Sequence, residues 1–202
     1  SMLSSFASGW LIPRISGFYQ QYPHIDIRIL VTNKDFDLLK AGDVDMELRY
    51  GDGMWPHVES QKFLKETIYP VCSPNLLKGE IPLETIGDLG RHTLLHDYKK
   101  IGWKEWLDDV GVKGIDYTRG PGFSHYNLTL QAAILGHGIA LGREPLVTEA
   151  LKKGDLVRLF DTSISTGMGY YVVSTNTATD KSKVRAFTNW LLDEVRIFEQ
   201  SA

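Results

Sequence analysis

Glu66-Thr-Ile-Tyr-Pro-Val-Cys-Ser73 reads as a long strand with a proline inside it. Proline cannot donate to a β-ladder and does not belong in a central strand, so the stretch predicts an edge or crossover strand. Far along the chain a second long strand is expected at Gly167-Met-Gly-Tyr-Tyr-Val-Val-Ser174. Between the two lies an α/β series from Leu76 to Phe160, with helices expected near Trp103 to Val110, Tyr126 to Leu135 and Pro145 to Lys153. The chain therefore leaves a first lobe on one strand, builds a second, and returns on the other. Such a plan predicts a cleft between two lobes and a two-strand hinge.

Outward from the first crossing, the amino-terminal part has its own alternation. Leu11, Ile15, Phe18 and Tyr22 recur at the spacing of one helix face and predict a helix from Trp10 to Tyr22. Ser8 is its candidate N-cap, Pro13 would fall in the first turn, and Tyr22-Pro23 should end it. Asp26-Ile-Arg-Ile-Leu-Val31 alternates as a strand would; Phe36 to Lys40, closed by Gly42, predicts a short helix; Val44 to Tyr50 predicts a third strand, ending in the turn residues Gly51-Asp52-Gly53. Strand and helix in this order argue a parallel sheet, in which ligands gather at the carboxyl ends of strands. The last helix, from about Lys181 to Glu199, carries Val184, Phe187, Leu191, Val195 and Phe198 on one stripe and should pack on the first lobe.

The 202 residues are 43% hydrophobic and 23% charged, the mix of a globular chain with a packed core. Lys and Arg number 22 against 25 Asp and Glu, a net charge of −3 that lacks the basic excess of a stand-alone nucleic-acid binder. Cys72 is the single cysteine and no charged segment followed by an apolar run opens the chain, so a cytoplasmic location is expected. No apolar run approaches the ~20 residues that cross a bilayer, so no membrane partner is expected.

Several catalytic patterns fail on inspection. Gly122-Phe-Ser-His-Tyr126 misses the last glycine of a nucleophile elbow, and His92 and His96 lack the intervening glutamate of a zinc protease helix. Gly136-His-Gly-Ile-Ala-Leu-Gly142 follows a helix and precedes a strand, the reverse of a dinucleotide fingerprint, and reads as a helix C-cap before a buried strand. Cys72 has no partner in sequence and reads as a packed thiol. No catalytic residue, metal ligand or cofactor site is therefore expected.

What remains is a polar set at loop positions. Ser4, Ser5 and Ser8 stand at the entry to the first helix, where free N–H groups favour an anion such as a carboxylate, although one of them could simply cap the helix. Thr32 and Asn33 end the second strand, and Asp52 with Trp55 follows the third; turn formation is the alternative reading there. Phe123, His125, Tyr126 and Asn127 lead into a helix of the second lobe, and Tyr170 sits on the return strand. None forms a matched acid and base pair, so the set reads as a binding site.

Taken together, Ser5-Phe-Ala-Ser-Gly-Trp-Leu-Ile-Pro-Arg14, Phe18 and Tyr22-Pro23-x-Ile25-Asp26-Ile27 resemble the LysR-type transcriptional regulators. Further matches are Gly42-Asp-Val-Asp45, Arg49-Tyr-Gly-Asp-Gly53, Pro70-Val-Cys-Ser-Pro74, Leu94-Leu-His96, Trp103-x-x-Trp106, Gln131-Ala-Ala133 and Gly136-x-Gly-Ile-Ala-Leu-Gly-Arg143, spanning nearly the whole chain. The combination is most similar to the subgroup that contains the glycine-cleavage activator and the β-lactamase regulator. The resemblance implies an α/β fold of two Rossmann-like lobes joined by two crossover strands, like type 2 periplasmic binding proteins. Lobe I would be residues 1–69 plus 173–202 and lobe II residues 70–172, with the family's N-terminal winged helix-turn-helix outside this stretch. It implies the effector-sensing domain of a bacterial DNA-binding regulator that takes a small metabolite in the cleft and changes oligomer geometry; the hydroxyls, amides and helix N-termini of the set point to a carboxylate-bearing one. The effector residues carried over are Ser4, Ser5, Ser8, Thr32, Asp52, Phe123, His125, Tyr126, Asn127 and Tyr170. A homodimer or homotetramer is implied, pairing the first helix of one lobe, with Phe18 and Tyr19, against the partner's helix near Leu135; DNA would be met only through the helix-turn-helix. A transporter's solute-binding protein is the alternative, and a hydrolase or transferase using His125 or His96 is a third.

Overall fold

The computed structural model describes residues 1–32, 44–56, 58–97, 101–174 and 181–200. The chain forms two compact units, Ser1–Lys65 with Gly167–Ala202, and Glu66–Thr166. The sequence reading set the joints at 69/70 and 172/173. Two long strands carry the chain between the units: β2 (Glu59–Cys72) outward and β7 (Ile164–Ser174) back, and they are neighbours in the sheet.

In the first unit the opening helix begins at Ser4. It runs as α1 (Ser4–Phe6), a π-helical stretch (Ala7–Leu11) and α2 (Ile15–Gln21). Its N-cap is Leu3. Ser8 is one turn inside, its hydroxyl donating back to Ser4 O at 3.0 Å, which corrects its assignment as the cap. The N–H of Ile12 reaches Ala7 O, five residues back, so the widened turn falls just ahead of Pro13, where a proline has no N–H to give and its ring would strike the carbonyl four residues earlier. Pro13 is thus at a mid-helix irregularity instead of a first turn. Because Ser8 only back-bonds to Ser4 and caps nothing, Ser8→Ala is expected to change stability by less than about 0.5 kcal/mol, against about 1 kcal/mol for a true cap; urea unfolding of the two proteins checks this.

Met2 bridges in parallel to Val31 on one side and Leu48 on the other. The N–H of Met2 donates to Leu30 O and the N–H of Thr32 to Met2 O, both at 3.0 Å. The strand expected at 26–31 is not formed as a ladder; among the described residues its one bridge is Val31 to Met2. The third strand is β1 (Glu47–Gly51), shorter than expected at its start, and it pairs antiparallel with β7 from Glu47↔Val173 to Gly51↔Gly169. The helix expected at Phe36 to Lys40, with Gly42, lies outside the described residues, as does Asn33. Helix α6 (Ser182–Gln200) buries the predicted stripe, with Trp190 added, and Phe187 and Trp190 each meet Phe18 at 5.4 Å between ring centroids.

In the second unit β2 alternates between two cores, as period-two geometry requires of a strand covered on both faces. Ile68 and Cys72 join Leu89, Leu94, Trp103, Trp106 and Ile139. Tyr69 and Val71 join Leu95, Ala132, Ala133, Ala140, Val147 and Leu156. The unit also contains β3 (His96–Asp97), β4 (Gly122–Phe123), β5 (Ala140–Glu144), β6 (Val157–Arg158), α3 (Trp103–Asp109), α4 (Tyr126–Ile134) and α5 (Thr148–Lys152). Strand β5 runs antiparallel to β2, β3 runs parallel to β4, and Leu94 bridges in parallel to Ile139.

Pro70 is flanked on both sides, by Leu141 of β5 and by the β6 side, so the crossover reading fits and the edge reading does not. Its carbonyl accepts from Leu159 N at 3.1 Å. In a strand the N–H and C=O of one residue point the same way. The donor that Pro70 lacks therefore falls on the β6 side, where the pairing with β2 is only Val71↔Arg158 and Cys72↔Val157, and the β5 ladder is unaffected. On the far flank, Gly120 has φ +130°, and a Cβ there would sit 1.9 Å from Leu94 O. The chain ahead of β4 can approach the β3 strand this closely only with glycine.

Candidate functional site

Three chain segments of the first unit run parallel through Met2, Val31 and Leu48, so their carboxyl ends share one edge. Ser4 and Ser5 follow Met2 there and Thr32 follows Val31, its N–H bonded to Met2 O. Ser5 is buried and Ser4 and Thr32 are half-buried. Tyr170 belongs to the same group by packing: it is buried, its ring lies 4.8 Å from Phe6, next to Ser5, and 5.2 Å from Tyr50. Phe63 and Trp10 complete this aromatic floor.

Trp55 and Asp52 are placed differently. Residues 170 and 171 of a strand face opposite sides of the sheet, and Trp55 packs edge-on against Tyr171 at 5.2 Å, with the Arg49 guanidinium 5.7 Å over its ring. It therefore stands across the sheet from Tyr170 and outside the group of Ser4, Ser5 and Thr32. Asp52 serves its own turn: Oδ1 accepts from Met54 N at 3.0 Å, and its carbonyl accepts from the Tyr171 hydroxyl at 3.1 Å. This is the turn role that the Gly-Asp-Gly composition allowed. Ser8 is exposed and bonded within the helix.

In the second unit β3 and β4 end side by side, Asp97 opposite Phe123, and α4 begins three residues after Phe123. His125 is the N-cap residue of α4, with Nδ1 2.8 Å from Ser124 Oγ. Phe123, His125 and Asn127 are half-buried. Tyr126 departs from its expected role. It is buried at 3% exposure, and its hydroxyl accepts the backbone N–H of Arg143 at 2.8 Å, so it is a fixed part of the unit's interior. Desolvation there holds its hydroxyl well above the ordinary tyrosine pKa.

Sequence reading missed the strongest polar feature of this unit. Arg143, 1% exposed at the end of the apolar run Ile139-Ala-Leu-Gly, forks onto Asp97 through Nε–Oδ2 at 2.8 Å and Nη2–Oδ1 at 3.0 Å. Nη1 reaches Glu66 Oε2 at 3.1 Å and Nη2 also reaches Ile101 O at 2.7 Å. The one signal was chemical: an arginine ending a buried strand demands counter-charges, and the only way to name them is to know the fold. Among the described residues, the Arg143 guanidinium is committed to two carboxylates and a carbonyl. A cavity of ≈ 20 Å³ beside Asp97, Thr129 and Arg143 is water-sized.

The histidines of the discarded catalytic readings meet backbone: His92 Nε2 lies 3.2 Å from Pro82 O and His96 Nε2 3.1 Å from Arg119 O. Cys72 is fully buried and burial pushes its thiol up to about 11. Iodoacetamide at pH 8 is expected to leave Cys72 unmodified in the folded chain and to alkylate it after denaturation, read by intact mass.

The arrangement offers hydroxyls, strand-end amides and aromatic walls, the equipment for holding a small polar molecule. A family profile described as the LysR substrate binding domain matches residues 1–196. The chain is 41% identical over 192 residues to the glycine cleavage system transcriptional activator of Escherichia coli (strain K12), covering 95% of this chain and 63% of that protein. It is 34% identical over 202 residues to the HTH-type transcriptional activator AmpR of Providencia stuartii, covering 97% and 65%. The solved effector domain of the transcriptional regulator AmpR of Pseudomonas aeruginosa superposes with a TM-score of 0.83 at 27% identity, covering 99% of this chain and 96% of that one. The chain thus spans slightly under two thirds of the length of these curated relatives.

Proposed function

Because the chain belongs to the LysR substrate-binding domain family, we propose that it senses a small carboxylate-bearing effector for a DNA-binding transcription regulator, and that it binds this molecule without transforming it. The observation that carries this reading is the shared edge of the Met2, Val31 and Leu48 segments, which groups Ser4, Ser5 and Thr32 around strand-end amides. Hydroxyl and amide donors at such an edge suit a carboxylate. Within the second unit, Phe123, His125 and Asn127 form a separate polar and aromatic group at the start of α4. The engagement of the second unit's Arg143 by Asp97 and Glu66 favours the first unit for the ligand's negative charge. Effector binding favours one arrangement of the domain over another, and the regulator's oligomer reads the difference.

DNA contact and oligomerisation are proposed for the whole regulator. Exposed Ile12 and Tyr19 on the first unit and exposed Leu128 and Leu135 on the second support an apolar contact with a second copy. Phe18, fully buried against α6, belongs to the interior and takes no part. The relatives are transcription regulators, which disfavours a transporter's solute-binding protein.

A thermal-shift screen of carboxylic acids, amino acids and cell-wall fragments tests the proposal. A true effector at 100 times its Kd adds about 2.7 kcal/mol of stability and is recovered chemically unchanged. A library without a single stabilising compound, or a hit consumed during incubation, contradicts it.

A further inference from the structure

We propose that Arg143 is a positioning residue that couples the loop ends of the second unit to the points where both crossing strands enter and leave that unit. The proposal rests on reading those loop ends as effector-facing. Arg143 bonds directly to β3, to the segment ahead of α3, to α4 and to β2, and reaches β7 through Glu66. Its guanidinium holds Asp97 at the end of β3 by two bonds and the Ile101 carbonyl just ahead of α3 by a third. Its backbone N–H holds the Tyr126 hydroxyl at the first residue of α4. Its Nη1 holds Glu66, the first residue of the unit on β2. Glu66 in turn accepts, through its carbonyl, the hydroxyl of Thr166 at 3.5 Å, and Thr166 is the unit's last residue on β7.

The choice of residue fits this duty. The fork of a guanidinium can bind one carboxylate bidentately and still direct another N–H to a second carboxylate on the far side; an ammonium cannot. A buried ion cluster is also a costly way to obtain stability alone, since well-packed apolar residues often do as well. What the cluster adds is geometric: Asp97 cannot shift without moving Arg143, and Arg143 cannot shift without moving Glu66 and Tyr126. Displacement at the loop ends is thereby transmitted to Glu66 on β2 and, through its carbonyl, to Thr166 on β7.

Coupling of this kind is reciprocal, so it is read from both ends by hydrogen–deuterium exchange of the chain without any ligand. Glu66→Gln keeps shape and an acceptor oxygen while removing the charge, and is expected to speed exchange at residues 96–97 and 123–127. Asp97→Asn does the same at the other end and is expected to speed exchange at residues 66–68 and 164–167. The far-end acceleration should be about tenfold, with reference amides at Val112 and Leu156 changing less than about twofold. Acceleration confined to the neighbourhood of each substitution overturns the coupling. So does a uniform acceleration that includes the reference amides, because that is the signature of lost stability alone. Should neither variant fold, Thr166→Val leaves the buried charges intact and is read at residues 96–97 and 123–127 by the same criteria. An effector screen that finds nothing leaves these exchange rates untouched, so the coupling and the effector reading fail separately.

Discussion

Arg143→Met is expected to destabilise the chain by about 3–5 kcal/mol, the largest effect of any single change considered for the second unit. The side chains of Glu66 and Asp97 are 0% and 8% exposed, and methionine fills the volume of arginine while removing the guanidinium that the two buried carboxylates share. The loss comes from stranded charge, not from the absence of an attraction. The control follows from the same reasoning: Glu66→Gln and Asp97→Asn added to Arg143→Met remove the stranded charges and should recover most of the loss, because neutral replacement of a whole buried cluster is commonly near neutral. Urea unfolding of the single and triple variants decides it. If the triple variant is no more stable than the single, packing at position 143 matters more than charge and the cluster has been misread.

The second large effect is expected at Gly120. Alanine there would place a methyl carbon 1.9 Å from the Leu94 carbonyl, a backbone atom that cannot swing aside, at a φ of +130° that L-residues rarely adopt. Either the chain ahead of β4 moves away or the 93–95 segment bends, and a cost of about 3 kcal/mol or more follows from overpacking and backbone strain together. Gly111 separates the two causes. Its φ is also positive, at +72°, but nothing lies within 4 Å of a Cβ there, so Gly111→Ala should cost only about 1 kcal/mol. Equal losses at the two positions would show that the contact with Leu94 is not the constraint described above.

The contrast between these residues explains what could be read from the sequence. Local pattern sufficed for α6, whose apolar stripe has a helical period, and for the two crossing strands: β2 carries β-branched and aromatic residues around Pro70, and β7 carries the run Tyr-Tyr-Val-Val. It also sufficed for the Asp52 turn, since Gly-Asp-Gly specifies a turn by its own backbone and side-chain chemistry. Local pattern failed where the deciding partner is remote. Glu66 and Arg143 are 77 residues apart, and nothing within a window around either shows that they meet. Tyr126 at a helix start reads as part of the binding set until Arg143 N is found at its hydroxyl. Ser8 reads as a cap because the helix seemed to start at the first apolar periodic residue, whereas the chain turns helical at Ser4, directly after the Met2 bridge. Of the candidate site, the grouping of Ser4, Ser5 and Thr32 follows from strand order alone and was legible. The removal of Trp55 to the opposite sheet face depends on which of Tyr170 and Tyr171 faces each side, a register that only pairing fixes.

The central claim is that this edge holds a carboxylate. It is tested most directly by isothermal titration of the strongest stabilising carboxylic acid into the unsubstituted chain, Ser5→Ala and Thr32→Val. Loss of one hydrogen bond to a charged group, worth about 1.5 kcal/mol, weakens binding about tenfold. Saturable binding at one molecule per chain is expected, with a weakening of that order in each variant and an unchanged compound recovered at the end. Equal affinity for all three proteins would remove the ligand from this edge and contradict the account.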